Sequence, residues 1–316
     1  MIRKSCRAFS TNSIVPGIMG MFVFAIACAG SSGPTLEPVE TTQEAIGLND
    51  SGVDTILVTT ILRVGSQRVS FLLAGPDGII KTPVAQVSPV FLGGNAGEQR
   101  FNSKEASFHL WPYGVRGAYS TELDFPVAGD WRLDIFAMDG ESSIAASLIV
   151  AVLDESAIPD IGELPPITAN KTLATVGKLE NLTTDYTPDP DLYQISVDHA
   201  IATDLPTVVV FATPAFCTSP TCGPQVDAVS ELKEIHRQKA NFIHVEFYDN
   251  PSEIQGDLSR AELVSHAGDW GFTTIPDWFN ESWVFVLDSE GRIRQRFEGF
   301  TTVVELEETL QAVMAE

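Results

Sequence analysis

Apolar and polar residues alternate with two different periods along this 316-residue chain, and the change of period divides it. From about residue 51 to 153 the period is two. Seven runs, at 53–61, 68–74, 83–91, 106–111, 117–125, 130–137 and 144–153, have the β-branched and aromatic content of strands. In the fifth run Tyr119, Thr121, Leu123 and Phe125 alternate with Ser120, Glu122 and Asp124. In the sixth, Trp131, Leu133 and Ile135 alternate with Arg132 and Asp134. Each such strand has one buried and one wet face. Gly75-Pro76-Asp77-Gly78 reads as a turn, and residues 127–129 as a short hairpin connection.

Beyond residue 173 short apolar strands alternate with helical stretches. Residues 206–211 form a β-branched run suited to burial on both faces. A helix is predicted from about Thr221, because Val226, Val229, Leu232 and Ile235 recur every third residue among charges. A strand at 241–248, a helix at 259–267, a hairpin of 283–288 and 292–297 across 289–291, and a closing helix at 302–315 complete the pattern. Between the two patterns, residues 154–172 contain Pro159, Pro165 and Pro166 and read as an extended connector. The expected architecture is therefore two domains. An all-β sandwich of immunoglobulin-like size spans 51–153, and an α/β domain spans 173–316.

The N-terminus adds an address. Arg3, Lys4 and Arg7 precede an apolar run from Ile14 to Ala27, a signal-peptide layout that is too short and broken to span a bilayer comfortably. It ends in Ala25-Ile26-Ala27-Cys28. Small residues before a cysteine resemble a bacterial lipobox, which makes 1–28 a lipoprotein-type signal and implies cleavage before Cys28, lipidation of Cys28 as the new N-terminus and an extracytoplasmic protein anchored to the membrane. A plain secretory signal is the alternative. Residues 29–50, rich in Gly, Ser, Thr, Pro and Glu, read as a flexible tether. The formal charge of −23 disfavours nucleic acids and acidic lipid headgroups as partners.

Candidate chemistry lies after the run at 206–211, in Phe211-Ala212-Thr213-Pro214-Ala215-Phe216-Cys217-Thr218-Ser219-Pro220-Thr221-Cys222-Gly223-Pro224. With Thr221 as N-cap, Cys222 is the first helical residue and Cys217 lies in the preceding loop, from which it can fold back to form a disulfide. The helix start favours a thiolate at Cys222. Cys217 follows an aromatic residue at the strand end. Either could be the attacking sulfur.

A strand, a cysteine loop and Cys-Gly-Pro at a helix start resemble the thioredoxin-like superfamily over 173–316, in the form of exported thioredoxin-domain lipoproteins. The resemblance implies thiol–disulfide exchange through Cys217 and Cys222, with no cofactor. Exported protein thiols or disulfides, or a membrane redox partner, would be its partners. The C-x4-C spacing departs from the family's C-x2-C and from the C-x3-C of copper-handling Sco-type relatives. Ser282 stands where the family's groove-shaping cis-proline is expected, and Pro276 lies six residues earlier. Similarly, 116–119 with 128–131 resembles the last hairpin of YtkA-like extracytoplasmic sandwiches, which implies a spacer or docking module. Its one histidine, His109, is expected in packing or at the surface.

Two alternatives stay open. Cys217 and Cys222 with His244 would make a Cu(I) site of a chaperone, since soft thiolates select Cu(I); His236 and His266 are further possible third ligands. Alternatively, the disulfide is structural in a non-enzymatic envelope binding protein. Trp270, Trp278 and Trp283 are expected in the core or as a lid. The run Asp185–Asp191 is expected to be a solvated loop, and the sequons at Asn170 and Asn181 are disregarded.

Overall fold

The structure, a computed structural model, describes residues 52–93, 97–112, 114–217, 219–276 and 282–316. Cys28, the signal segment, the tether and Trp278 lie outside the described residues. The N-terminal half contributes ten strands: β1 (Asp54–Leu57), β2 (Leu62–Arg63), β3 (Gly65–Gly75), β4 (Gly78–Ile79), β5 (Val84–Phe91), β6 (Gln99–Arg100), β7 (Lys104–Leu110), β8 (Gly117–Phe125), β9 (Gly129–Asp139) and β10 (Ser142–Leu153). They form one sheet in the order β1-β3-β8-β7-β5-β9-β10-β2, with β4 on β3 and β6 on β5.

The alternation foreseen in β8 and β9 sets which face goes inward. Tyr119, Leu123, Phe125, Trp131, Leu133 and Ile135 are all within 2% of full burial. Ile144, Ala146, Leu148, Val150 and Val152 of β10 join the same core. Trp131 sits at its centre, with the rings of Phe91, Phe101 and Phe125 at 5.2, 5.0 and 5.1 Å.

Among the described residues the second half has six α-helices: α1 (Leu173–Val176), α2 (Val197–Ile201), α3 (Cys222–His236), α4 (Pro251–Ile254), α5 (His266–Asp269) and α6 (Val303–Met314). Its four strands are β11 (Thr207–Ala212), β12 (Asn241–Glu246), β13 (Trp283–Leu287) and β14 (Ile293–Glu298). The sheet order is β12-β11-β13-β14, and β11 and β12 are its parallel pair. Val208, Val210 and Ala212 of β11 face α3 and α6, while Val209 and Phe211 face Trp270 and Phe285. β11 is thus buried on both faces.

These elements correct the expected fold class of an immunoglobulin-like sandwich followed by an α/β thioredoxin-like domain. The described residues are mostly β, with 22% helix. Instead of two facing sheets, the N-terminal half has one curled ten-stranded sheet. Strands of 11 and 12 residues at β9 and β10 give it the length to curl until β1 reaches β10, where Thr55 Oγ1 donates to the Ser147 carbonyl at 2.8 Å. In the second half only α3 and α6 exceed five residues. The helix expected at 259–267 does not form. There Leu263 bridges Tyr248 and the Val264 N–H donates to the Phe247 carbonyl, so the backbone bonds sideways to the end of β12.

Residues 154–172 contain no helix or strand beyond a turn at 160–163, and they are bonded into the second half. Ile158 is buried in its core, the Gly162 N–H donates to the Ile293 carbonyl, and the Ile293 N–H donates to the Glu163 carbonyl. Trp270 Nε1 donates to Thr168 Oγ1 at 2.7 Å.

The two halves meet along a polar seam. Arg68 of β3 and Ser120 of β8 lie on the sheet face that alternation marks as wet, and both are buried because α6 covers them. Arg296 of β14 bonds Asp160, Gln67 and the Ile61 carbonyl. Glu298 accepts from the Thr60 N–H and Oγ1 at 2.6 and 2.5 Å. Buried charges persist only when paired in this way.

Candidate functional site

β11 ends at Ala212, and residues 213–216 turn, with the Phe216 N–H donating to the Thr213 carbonyl at 3.1 Å. α3 starts at Cys222, with Thr221 at its N-cap. The intervening loop brings Cys217 back to the helix start, where the two cysteines form a disulfide with a Cα–Cα distance of 5.9 Å. That distance lies inside the ~4.4–6.8 Å window that a bridge requires. Cys222 is fully buried beside Val208 and Val226, whereas Cys217 is partly exposed at the edge of the same cluster.

The turn before Cys217 is tied to a buried carboxylate. The Ala215 N–H donates to Thr184 Oγ1 at 3.2 Å, and the Thr184 hydroxyl and N–H each donate to Glu246 Oε2 at 2.8 Å. Thr213 Oγ1 lies 3.3 Å from Thr184 Oγ1. Glu246 ends β12 directly opposite Ala212. Burial pushes its carboxyl up to about 7, against the pull of its Thr184 and Thr213 hydrogen bonds. Neither Glu246 nor Thr184 stood out in the sequence. The only local signal is a carboxylate closing an otherwise apolar run.

His244, two residues earlier, is committed elsewhere. Its Nε2 lies 3.1 Å from the Ala212 carbonyl, which can only accept, so Nε2 carries the proton. Nδ1 therefore accepts from the Tyr193 hydroxyl at 2.7 Å. Burial lowers its pKa to about 4, so the ring is neutral. Its lone pair is thus engaged by Tyr193. His236 lies by Glu307 at 3.4 Å, and His266 packs near Phe211. Among the described residues no group of three or more His, Cys, Asp or Glu is placed to hold a metal ion.

Ser282 is buried beside Gly299. Its hydroxyl donates to the Gly299 carbonyl at 3.2 Å, and the Gly299 N–H donates to its carbonyl at 2.9 Å. Pro276 is exposed. Trp270 and Trp283 are core residues. His109 approaches Glu305 at 3.6 Å on the seam. The acidic run does more than face solvent, since Asp189 and Asp191 hold the buried Lys233 ammonium at 2.6 and 3.0 Å.

No family model matches this chain, and no curated protein matches it. Among solved structures, the crystal structure of a thiol:disulfide interchange protein of the thioredoxin family from Chlorobium tepidum TLS is similar. The likeness covers 49% of this chain and 99% of that one, at 11% identity and a TM-score of 0.31. A likeness of that degree decides no activity.

Proposed function

We propose that this protein carries out thiol–disulfide exchange through Cys217 and Cys222, tethered outside the cytoplasm by a lipid on Cys28. The supporting observation is the asymmetry of the disulfide, with a partly exposed sulfur in a loop and a buried one at a helix start. A partner thiolate reaches Cys217 Sγ and forms a mixed disulfide with it. The electron pair of the broken bond leaves on Cys222 Sγ, where the helix start favours negative charge. The partner's second thiolate then attacks the partner sulfur, so Cys217 departs as a thiolate and the partner leaves oxidised. Run backwards, the same steps reduce a partner. Glu246 and Thr184 fix the turn that presents Cys217.

Equilibration against a glutathione series, with mass-spectrometric counting of alkylated thiols, tests this reading. Exchange-active pairs fall at roughly −120 to −270 mV, and structural bridges lie below about −300 mV. A bridge that stays closed without denaturant would assign the disulfide to bracing the loop.

A further inference from the structure

One short loop touches both halves of the molecule. Residues 299–302 run from the end of β14 to the start of α6. Toward the disulfide, the Thr301 N–H donates at 2.6 Å to Oε1 of Gln225, three residues after Cys222 in the first turn of α3. Toward the β-rich half the loop has three holds. Gly299, at φ +72°, lies so close to Val58 that a Cβ there would come within 2.9 Å of Val58 Cγ1. The Phe300 ring meets Trp111 edge-on at 6.5 Å. Thr302 and Glu305 cap α6 reciprocally, and Glu305 Oε1 accepts from Arg68 Nη2 at 2.8 Å, Arg68 Nε at 3.2 Å and Ser120 Oγ at 2.9 Å. Hydrogen bonds on both oxygens of Glu305, joined through the Thr301–Thr302 peptide bond to the Gln225 contact, therefore connect β3 to the helix that carries Cys222.

We propose that Arg68 is a positioning residue for the disulfide: through Glu305, Thr302, Thr301 and Gln225 it anchors the first turn of α3 and keeps Cys222 beside Cys217. This rests on the exchange reading above. In the equilibrium, one protein disulfide and two glutathione thiols become two protein thiols and one glutathione disulfide. When the protein is reduced, no covalent bond holds the two sulfurs together. An anchored helix start lowers the entropic cost of closing the bridge, because it raises the effective concentration of one thiol at the other. The oxidised form already has its bond and gains less. Loosening the anchor therefore shifts the protein toward the reduced form.

The test compares the glutathione equilibrium constant of the wild type with those of Arg68→Met, Arg68→Lys and Glu122→Ala. Arg68→Met keeps an apolar stem over Phe297, whose centroid lies 5.3 Å from the guanidinium, and loses the donors to Glu305. Glu122 bonds Gln295 at 2.8 Å across the same seam without touching residues 299–302. Arg68→Met should favour reduction by about fivefold or more, the lower end of ordinary coupling between sites. Arg68→Lys should recover most of the loss, and Glu122→Ala should match the wild type. Equal constants for wild type and Arg68→Met, or an equal shift in Glu122→Ala, would overturn the proposal. Should Arg68→Met fail to fold, Ser120→Ala reads the same carboxylate oxygen, and an unchanged constant there overturns it too. A wild-type disulfide that resists glutathione altogether sinks the exchange reading and this inference with it. A reducible one that is indifferent to Arg68 sinks the inference alone.

Discussion

Replacing Glu298 by Gln should make the protein more stable at alkaline pH and leave it nearly unchanged at pH 4.5. Glu298 is fully buried in the seam, and burial raises its carboxyl from 4.5 to about 7, against the Thr60 hydrogen bonds and the charge of Arg296. The folded state therefore holds a proton across that window which the unfolded state has released. Stability is lost as pH rises from about 4.5 to about 7, and the loss is complete above it. At about 1.4 kcal/mol per pH unit the gap amounts to about 3 kcal/mol. Gln can keep both contacts, accepting the Thr60 N–H and donating to its hydroxyl. Urea midpoints of both proteins at pH 4.5, 6, 7 and 8.5 provide the measurement. The difference should grow to about 3 kcal/mol in favour of Glu298→Gln by pH 8.5. His244 and Glu246 titrate in both proteins, and their contributions cancel in the difference. A difference that stays flat with pH, or that moves against the variant, would refute the reasoning.

Other perturbations reach the core, the cysteines and the anchor. Trp131→Ala removes the ring at the centre of the curled sheet and should cost about 3–5 kcal/mol by urea unfolding; a loss under about 1 kcal/mol would mean the core is packed otherwise. With Cys217 alone left, in Cys222→Ser, a small aromatic disulfide reagent should react at least about tenfold faster than with the buried thiol of Cys217→Ser, and equal stopped-flow rates would remove the asymmetry argument. Cys28→Ser should release the mature protein from membranes on fractionation, and unchanged membrane association would discard the lipid tether.

What could be read from the chain is what depends on near neighbours. The period-two alternation at Trp131, Leu133 and Ile135 identifies an inward face because a strand's side chains alternate whatever the sheet does next. The start of α3 at Cys222 follows from local helix-start chemistry and from the recurrence of Val226, Val229 and Leu232. Contacts between distant segments were not legible. Arg68, Ser120, Gln295, Arg296 and Glu298 look like solvent-facing residues, and they are buried because parts of the chain up to 238 residues apart close on them. Sheet curl likewise depends on β1 meeting β10, which no alternation records. The helix predicted at 259–267 failed because Leu263 and Val264 found backbone partners beside β12. Glu246 was hidden for the same reason, since its partner Thr184 lies 62 residues away.

Residues 162–163 do more than join two halves, because they pair with Ile293, the first residue of β14. A fragment beginning at residue 173 would leave the N–H and C=O of Ile293 bare at the start of that strand, and Arg296 without Asp160. Exposed strand margins recruit other strands, from copies of the same fragment most readily. The stretch that by composition looks easiest to cut is therefore a poor place to divide the protein, because a piece made there opens the start of β14 and strands a buried guanidinium.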